Sequence, residues 1–384
     1  MERLMDKYEK KLIRAGLCRP EGIVFAGMDD ELIFNRSNPH EKILSPLFDA
    51  LSINSLLFAR PLEPYFSIMN YLAATAQGSI RPTDTETRTF LHELPTLREF
   101  SASSLIGALK HRKTVIIEGE GVVTFGSVSP EQAFVFFSSV CFATFVKFFS
   151  DYLTHRQRKR VTPFEEETFQ RAVAALGSPH GSCGFMARGP FASEPAIIEA
   201  MCQAGRETVD LSLVDSYFGN ISFRHHDTIY ISQTGSSLDE LEGLIDPVPL
   251  DNSSCAGVTA SSELSAHKEV YLGGTATTIL HGHPRFSVIM SMDCPDHDTC
   301  ENRKNCHTRC SKKRFTQGVP IVPGEVGTGP FGLSKTLPPT LLAHGSAIVY
   351  GHGVFTIGRT DFNEPLTNLL TIENTMREAY FNAL

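Results

Sequence analysis

The sequence contains one pattern twice, and this internal repeat constrains the fold more than any other feature. The segment NSLLFARP at 54–61 resembles TTILHGHP at 277–284, an offset of 223 positions. The segment 113–134, which contains IIEGEGVVTFG, resembles 346–366, which contains IVYGHGVFTIG, at an offset of 232 positions. An offset this long corresponds to a whole domain, not to a short structural repeat. We therefore expect two domains of one fold in tandem.

Both halves have the pattern of an α/β domain, because helical segments alternate with short apolar strands that Gly and Pro turns separate. In the second half the helices are predicted at 163–177, 193–207 and 262–272 and at the C-terminus, and the strands at 220–232, 277–283 and 346–357. The first of these strand segments contains a hairpin turn at His226 and Asp227. The predicted fold class is α/β in both halves.

A charged segment, RQRKRVTP at 156–163, connects the halves. It ends in a helix start, with Thr162 as the N-cap, Pro163 at the first helical position and Glu165 at the third. We place the domain boundary near residue 160. The predicted domains are 1–160 and 161–384.

The composition favours a globular protein in a reducing compartment. The formal net charge of −8 gives no broad basic surface for nucleic acid. The N-terminal segment MERLMDKYEKKLIRAG lacks the apolar core of a signal peptide. The apolar run at 133–149 is shorter than a bilayer span and contains Lys147, so we expect a buried or interface helix. Nine cysteines without a secretion signal indicate the cytoplasm, with neither nucleic acid nor membrane as a partner.

Two histidines, His281 and His283, stand at the end of an apolar strand in ILHGHP. Residues i and i+2 of a strand point to the same side, so both imidazoles project into one small volume. A single histidine in an apolar run is more often structural, whereas a neighbouring pair suits a metal ion. The pair therefore raises the hypothesis of a metal site.

The internal repeat strengthens this hypothesis. The first half has Phe58 and Arg60 where the second half has the histidine pair, and Glu120 where the second half has His352. The surrounding pattern persists in both copies, but the imidazoles occur in only one. If the first copy lost a single metal site, we would expect all three histidines to be absent from it together. We therefore expect a metal site in the second domain only.

Five segments of the second half are FGNISFR (218–224), YISQTGSSLDEL (230–241), SSELSAHKEVY (261–271), ILHGHP (279–284) and YGHGVFTIG (350–358). Their order and spacing resemble the class II aldolase/adducin family. The resemblance covers 165–384 and extends more weakly to 1–155 through the repeat. It implies two class II aldolase-like three-layer α/β/α domains in tandem. The family includes zinc-dependent fuculose- and rhamnulose-phosphate aldolases and ribulose-phosphate 4-epimerase.

The resemblance also implies a role for each residue of a site. His281, His283 and His352 match the ligands of a zinc or other divalent metal ion, and Glu263 matches the catalytic carboxylate. The residues that match the phosphate-binding groups are Asn220, Thr234, Gly235, Ser261 and Ser262.

Simpler interpretations of some of these residues stay open. Asn220 could close a turn before the hairpin. Ser261 and Ser262 could cap the helix that follows them. His267, four residues after Glu263 on the same helix face, is expected to be a neighbouring or core residue and not a ligand.

The residues of the site support a defined chemistry. Three neutral imidazoles leave zinc an open position, where the metal can polarise a carbonyl and hold the enediolate formed when an adjacent bond breaks. A carboxylate can move the proton, and short hydroxyls with backbone N–H groups can bind an anion. The predicted function is that of a metal-dependent lyase on a small phosphorylated hydroxy-carbonyl compound. The alternatives are a sugar-phosphate epimerase, a dehydratase, a decarboxylase, a non-catalytic adducin-like scaffold or a redox-sensing regulator.

A cysteine-rich insertion, CPDHDTCENRKNCHTRC, departs from the resemblance. It contains Cys294, Cys300, Cys306 and Cys310. A short polar segment cannot build a core, so a structural zinc ion at the four thiols would hold it in place. An iron–sulfur cluster and unpaired surface thiols are the alternatives. No residue here matches the family's cross-subunit acid, which leaves the reaction type open.

The resemblance implies an assembly as well. Members of the family are usually tetramers with sites at subunit boundaries, so two tandem chains would supply four copies of the fold. We expect a homodimer in which the first domain is a metal-free scaffold.

Overall fold

The structure is a computed structural model that describes residues 1–179, 181–184, 186–215, 217–325 and 327–384. The chain divides into two compact units, Met1–Gly177 and Ser178–Leu384. Each unit is a mixed α/β domain built around one sheet. The α/β class predicted from the sequence is confirmed.

The first unit contains a mixed sheet. Its strands are β1 (Cys18–Met28), β2 (Leu32–Phe34), β3 (Ser55–Pro61), β4 (Ser79–Ile80), β5 (Leu94–Leu97), β6 (Thr114–Ile117) and β7 (Gly121–Gly126). Its helices are α1 (Glu2–Arg14), α2 (Glu41–Leu44), α3 (Pro46–Ala50), α4 (Tyr65–Thr75), α5 (Thr85–Leu91), α6 (Ala102–Leu109), α7 (Pro130–Gln157) and α8 (Pro163–Ala175). The sheet order is β2-β1-β3-β7-β6-β5-β4. Neighbouring strands are antiparallel except for the parallel pair β5 and β6.

Helix α8 packs within the first unit. Its residue Phe169 stacks on Tyr152 of α7 with ring centroids 3.7 Å apart. Thr162 caps α8 by accepting a hydrogen bond from the N–H of Glu165 at 3.2 Å, as the sequence predicts. The two units therefore divide after α8, whereas the sequence analysis places the boundary before it, near residue 160.

Helix α7 is the core helix of the first unit. Among the described residues it is the one helix long and apolar enough to cross a membrane, and 78% of that apolar window is buried. A helix that is apolar on all sides is stable in water only where neighbouring elements cover it. Here α7 packs against β3, β7, α1, α4 and α5. This is the buried position predicted for the run at 133–149.

The second unit contains a larger mixed sheet. Its strands are β8 (Asn220–His225), β9 (Thr228–Ser232), β10 (Ile245–Pro249), β11 (Thr278–Gly282), β12 (Arg314–Thr316), β13 (Val319–Val322), β14 (Ser346–Val349) and β15 (Gly353–Gly358). Its helices are α9 (Glu194–Asp210), α10 (Leu264–Gly273), α11 (Arg285–Met292), α12 (Leu333–His344) and α13 (Asn363–Asn382), with short 3₁₀ helices at Cys255–Val258 and Arg303–Asn305. The sheet order is β10-β9-β8-β11-β15-β14-β13-β12.

The two sheets have the same topology. Without the edge strand β10, the second order becomes β9-β8-β11-β15-β14-β13-β12, which matches β2-β1-β3-β7-β6-β5-β4 strand for strand. The parallel pair also corresponds, because β5 and β6 match β13 and β14. The sequence repeat therefore has a counterpart in the order of the strands.

The strand register reproduces the two offsets of the repeat. His281 pairs with Phe355 across β11 and β15, and Phe58 pairs with Val123 across β3 and β7. The first members of these pairs are 223 positions apart and the second members 232. Residues that the sequence alignment equates therefore occupy the same place in the two sheets.

Strand β11 lies at the centre of the second sheet and is buried along its length, between β8 and β15. Helices α10 and α12 pack on the face to which Phe355 belongs. Helix α13 packs on the other face, where the hydroxyl of Thr356 donates to the carbonyl oxygen of Pro365 at 2.9 Å. Because successive strand residues face opposite sides, the sheet is the middle layer of three. Its central strand contains His281 and leads directly into His283.

Candidate metal centre

Three histidines converge at the end of β11. His281 belongs to this strand and His283 follows it directly, while His352 lies in the turn between β14 and β15. Nε2 of His281 lies 2.9 Å from Nε2 of His283 and 3.3 Å from Nε2 of His352. All three side chains are buried. The structure thus brings together the three histidines that the sequence analysis proposes as metal ligands.

Burial favours the neutral form of His281 and His283. It lowers the pKa of His281 to about 3 and the pKa of His283 well below its ordinary value. The Nδ1–H of His281 donates to the carbonyl oxygen of Val354 at 3.0 Å, which leaves a lone pair on Nε2. Nδ1 of His283 is buried without a hydrogen-bond partner. Neutral imidazole nitrogens that converge in a buried volume fit a divalent metal ion such as zinc.

Two glycines allow the backbone to approach His281 and His283 closely. A Cβ at Gly353, directly after His352, would lie 2.4 Å from the carbonyl oxygen of Gly282 and 2.7 Å from Cε1 of His281. Gly219 has a φ of +87°, and a Cβ there would lie 2.4 Å from the carbonyl oxygen of His281. These distances are too short for non-bonded atoms, so a side chain at either position would displace the ligand strand.

Aromatic rings orient two of the three histidines. Phe355 stacks on His281 with ring centroids 3.8 Å apart and planes within 8°. Phe218 lies parallel to His283, with centroids 5.5 Å apart and planes within 7°. Packing of this kind limits the rotation of a ligand side chain. Neither phenylalanine is among the predicted site residues, although both lie inside the segments that carry the family resemblance.

Glu373 fixes the helix that follows the histidine pair. The N–H groups of Phe286 and Ser287, in the first turn of α11, donate to its two carboxylate oxygens at 2.9 Å each, and the Ser287 hydroxyl donates at 2.8 Å. Burial raises the pKa of this carboxyl group. The contact of Glu373 with α11 spans 87 residues, so no local sequence pattern indicates it.

Glu263 places its carboxylate against the histidines. Oε2 lies 3.5 Å from Nε2 of His281, and Oε1 lies 3.5 Å from Nε2 of His352. The side chain is 5% exposed and stands at the N-terminus of α10. Nδ2 of Asn220 donates to Oε2 at 2.5 Å. A buried carboxylate in this position can exchange protons with a molecule bound at the same centre.

The five residues predicted to bind phosphate occupy different positions around Glu263. The amide of Asn220, at the start of β8, contacts the carboxylate, and the Ser261 hydroxyl accepts from the N–H of Glu263 at 3.3 Å. Thr234 donates its hydroxyl to the carbonyl oxygen of Ala260 at 2.9 Å. An isolated bridge joins Gln233 to Ala260, so the loops at 233–235 and 260–262 lie side by side. The exposed members of the set are Thr234, Gly235 and Ser262.

The simpler interpretations are a turn at Asn220 and helix caps at Ser261 and Ser262, and the structure supports neither. Asn220 is the first residue of a strand. Glu263 is the N-cap residue of α10 and makes no side-chain cap hydrogen bond, so neither Ser261 nor Ser262 is the N-cap.

His267 belongs to a buried network behind Glu263. Its Nδ1 lies 2.7 Å from the hydroxyl of Ser222, which in turn lies 2.7 Å from the hydroxyl of Tyr271. Burial, with a smaller contribution from His281, lowers the pKa of His267 to about 3. This is the core position that the sequence analysis expects.

The equivalent position in the first unit is filled by aromatic packing. Phe58 is buried, with its ring centroid 4.8 Å from that of His40 and 4.9 Å from that of Phe100. Arg60 lies over the ring of Phe66 at 4.1 Å, and Glu120 is exposed. These side chains occupy the places of the three histidines without forming a comparable polar centre.

The four cysteines of the insertion lie between α11 and β12 and are all partly exposed. Within the described residues, the histidine triple is the single group of three or more His, Cys, Asp or Glu ligand atoms lying within 4.8 Å of one another. A metal at the cysteines therefore stays a prediction.

Residues 199–380 match the family model of the Class II Aldolase and Adducin N-terminal domain. No curated protein matches the chain. The L-fuculose-1-phosphate aldolase of Thermus thermophilus is 22% identical, with a TM-score of 0.37 over 48% of this chain and 91% of that one. YgbL of Escherichia coli is 19% identical, with a TM-score of 0.39 over 48% and 89%. The N-terminal class II aldolase domain of a Thermoplasma acidophilum protein is 14% identical, with a TM-score of 0.33 over 50% and 96%.

The family match spans nearly all of the second unit, whose site contains the histidine triple and the neighbouring carboxylate. The second unit therefore belongs to the class II aldolase/adducin family. This family contains metal-dependent enzymes and non-catalytic relatives.

Proposed function

We propose that the second unit is a metal-dependent lyase that breaks or forms a carbon–carbon bond in a small phosphorylated hydroxy-carbonyl compound. The observation that carries this proposal is the position of Glu263, whose carboxylate oxygens lie 3.5 Å from Nε2 of His281 and of His352 in a buried site. Membership of the class II aldolase/adducin family supports dependence on a divalent metal.

Each group has a part in this reaction. His281, His283 and His352 would hold the metal ion, which when bound polarises the substrate carbonyl. Glu263 accepts the hydroxyl proton as the adjacent carbon–carbon bond breaks. It then returns a proton to the carbon atom that keeps the bonding electrons. Asn220 orients this carboxylate, and burial of the site excludes water that would otherwise protonate the same carbon.

The substrate phosphate would bind at the two adjacent loops beside Glu263. Gly235 has a φ of +71° and exposes its backbone, and Ser262 is exposed on the neighbouring loop. Short hydroxyls and backbone N–H groups can bind a phosphate without a large basic surface. Thr234 and Ser261 complete this proposed phosphate-binding site.

The first unit would act as a scaffold. It shares the strand order and register of the second unit, but Phe58, Arg60 and Glu120 replace the three histidines. We attribute the two units to duplication of one domain. Two chains would then supply the four domain copies of a tetramer as a homodimer.

The test uses the full chain purified without added metal. Metal content and turnover of phosphorylated ketoses and aldehydes are measured for the wild type, His281→Ala/His283→Ala and Glu263→Gln. The histidine variant should lose metal and activity together. The glutamine variant should keep its metal and lose about 10²- to 10⁴-fold in kcat, the usual contribution of acid–base catalysis. His344→Ala and Glu269→Gln are matched controls, because both residues are exposed in the same unit.

Several outcomes would overturn the proposal. Unchanged metal content in the histidine variant would remove the metal site. Metal binding without turnover would favour an adducin-like binding protein. If no ketose is cleaved, the product formed would assign the site to another reaction. Inversion of a carbon centre would indicate an epimerase, loss of water a dehydratase, and loss of carbon dioxide a decarboxylase.

A further inference from the structure

The cysteine-rich insertion has no core of its own. Between 294 and 313 the sequence contains no apolar side chain beyond one proline and the cysteines themselves. The backbone consists of successive tight turns, in which the N–H of Cys300 donates to the carbonyl oxygen of Asp296 at 2.8 Å and that of Arg309 to Asn305 at 2.8 Å. Hydrophobic burial therefore cannot hold this segment in one conformation.

Two polar contacts close the segment on itself. Nζ of Lys312 lies 2.6 Å from Oδ2 of Asp296, and Nδ2 of Asn302 donates to the carbonyl oxygen of Arg309 at 2.6 Å. Asp296 lies between the first two cysteines, and Lys312 lies two positions after the last one. These contacts bring the two ends of the cysteine pattern together.

The four thiols also influence one another. Burial raises the pKa of the Cys306 thiol; Arg314 opposes this, and the other three thiols of the segment raise the pKa further. The thiols of Cys300 and Cys294 likewise help to raise the pKa of Lys312, after its hydrogen bond to Asp296. These interactions place the other three thiols within electrostatic range of Cys306, although among the described residues no three of the four sulfur atoms lie within 4.8 Å of one another.

The local charge fits an anionic complex. Between 294 and 314 the basic residues are Arg303, Lys304, Arg309, Lys312, Lys313 and Arg314, and the acidic residues are Asp296, Asp298 and Glu301. Six cations against three anions leave three uncompensated positive charges. A zinc ion with four thiolates has two negative charges, so the surrounding chain would stabilise it.

We propose that Cys294, Cys300, Cys306 and Cys310 bind one structural zinc ion as four thiolates, separately from the histidine site. Each thiol gives up its proton as its sulfur binds the metal. Tetrahedral coordination by four sulfurs is typical of zinc, which brings no redox chemistry to the site. Because the segment consists of turns, its backbone can adjust to bring the sulfurs into contact with the ion.

The first test compares the zinc content per chain of the wild type, Cys300→Ser/Cys306→Ser and Cys255→Ser. Cys255 is the matched control, since it is an exposed free cysteine of the same unit outside the segment. The double variant should contain one zinc ion less than the control. The same comparison in the His281→Ala/His283→Ala background separates the two sites. If that background keeps all its metal, the proposed function fails while the cysteine site stands.

The second test does not depend on how the variants fold. In the native wild type, a thiol-specific reagent should modify the four cysteines of the segment only after a chelator removes zinc, as peptide mapping would show. Equal zinc in the double variant and the control, or reaction of the four thiols before chelation, would overturn the proposal. Iron with acid-labile sulfide in the place of zinc would also overturn it.

Discussion

Nδ2 of Asn220 donates a hydrogen bond to Oε2 of Glu263 at 2.5 Å, although 43 residues separate them in the chain. Asn220 also pairs in register with His281 on the neighbouring strand. The Asn220 amide therefore connects β8, which lies beside β11, to the Glu263 carboxylate at the start of α10. The sequence analysis proposes Asn220 for phosphate binding, whereas in the structure its amide lies on the carboxylate.

Replacement of Asn220 by alanine should lower kcat and leave the metal content unchanged. A hydrogen bond to a charged group contributes about 1.5–3 kcal/mol, so its loss from the transition state corresponds to a decrease of about 10- to 100-fold. Steady-state kinetics together with elemental analysis would measure both effects. An increase in KM for the phosphorylated substrate at constant kcat would instead support the phosphate role.

Replacement of Glu373 by alanine should destabilise the fold and weaken metal binding. The change leaves the N–H groups of Phe286 and Ser287 without their carboxylate acceptor, at a cost of about 2–5 kcal/mol. The first turn of α11 directly follows the histidine pair, so its loosening should release the metal more easily. Urea unfolding and metal titration would measure the two effects. Glu378→Ala, an exposed change on the same helix, is the control, and equal effects of both changes would contradict this role.

Replacement of Gly353 by alanine should remove the metal although none of the three histidines is replaced. The new Cβ would lie 2.4 Å from the carbonyl oxygen of Gly282 and 2.7 Å from Cε1 of His281, so β11 and the histidine turn must separate. Overpacking of this kind costs about 1–3 kcal/mol. Gly257→Ala is the control, because a Cβ there would meet only Cδ2 of Leu264 at 3.6 Å. Full metal occupancy in Gly353→Ala, measured by elemental analysis, would refute the prediction.

The metal-free protein should lose stability as the pH falls below about 6.5. Burial lowers the pKa of His267 to about 3, while a histidine in an unfolded chain has a pKa of about 6.5. Between these values the unfolded chain binds a proton at His267 that the folded chain does not, so this one group lowers the stability by up to about 1.4 kcal/mol per pH unit, and the lowered pKa values of His281 and His283 act in the same direction. Above pH 7, about half a pH unit above the pKa of a histidine in the unfolded chain, the titration of His267 changes the free energy of unfolding little further.

The comparison of His267→Gln with the wild type tests this pH dependence. Glutamine can keep a hydrogen bond to Ser222 but does not titrate, so the variant should show a smaller loss of stability on acidification. Urea unfolding of metal-free protein at several pH values below neutrality measures the slopes. His344→Gln, an exposed histidine of the same unit, is the control. Identical slopes for His267→Gln and the wild type would contradict the prediction.

The sequence alone determined the α/β class, the two offsets of the repeat and the set of three histidines. The α/β class follows from local patterns such as strand periodicity and the helix start at Thr162, whereas the three histidines follow from comparison of the two copies of the repeat and from the family resemblance. The equivalent register of the two sheets was also implicit in the sequence, because the offsets of 223 and 232 positions equate His281 with Phe58 and Phe355 with Val123. Local physical rules act over a few residues, and patterns over a few residues can be recognised in the sequence.

The tertiary structure decided the contacts that join distant segments. Only the fold places Glu373 on the first turn of α11, the Asn220 amide on Glu263 and the ring of Phe355 on His281. Each of these contacts depends on which strands and helices become neighbours, and no local periodicity encodes that choice. The same holds for α8, which looks like the first helix of the second domain in the sequence. It belongs to the first unit because its apolar side packs on α7.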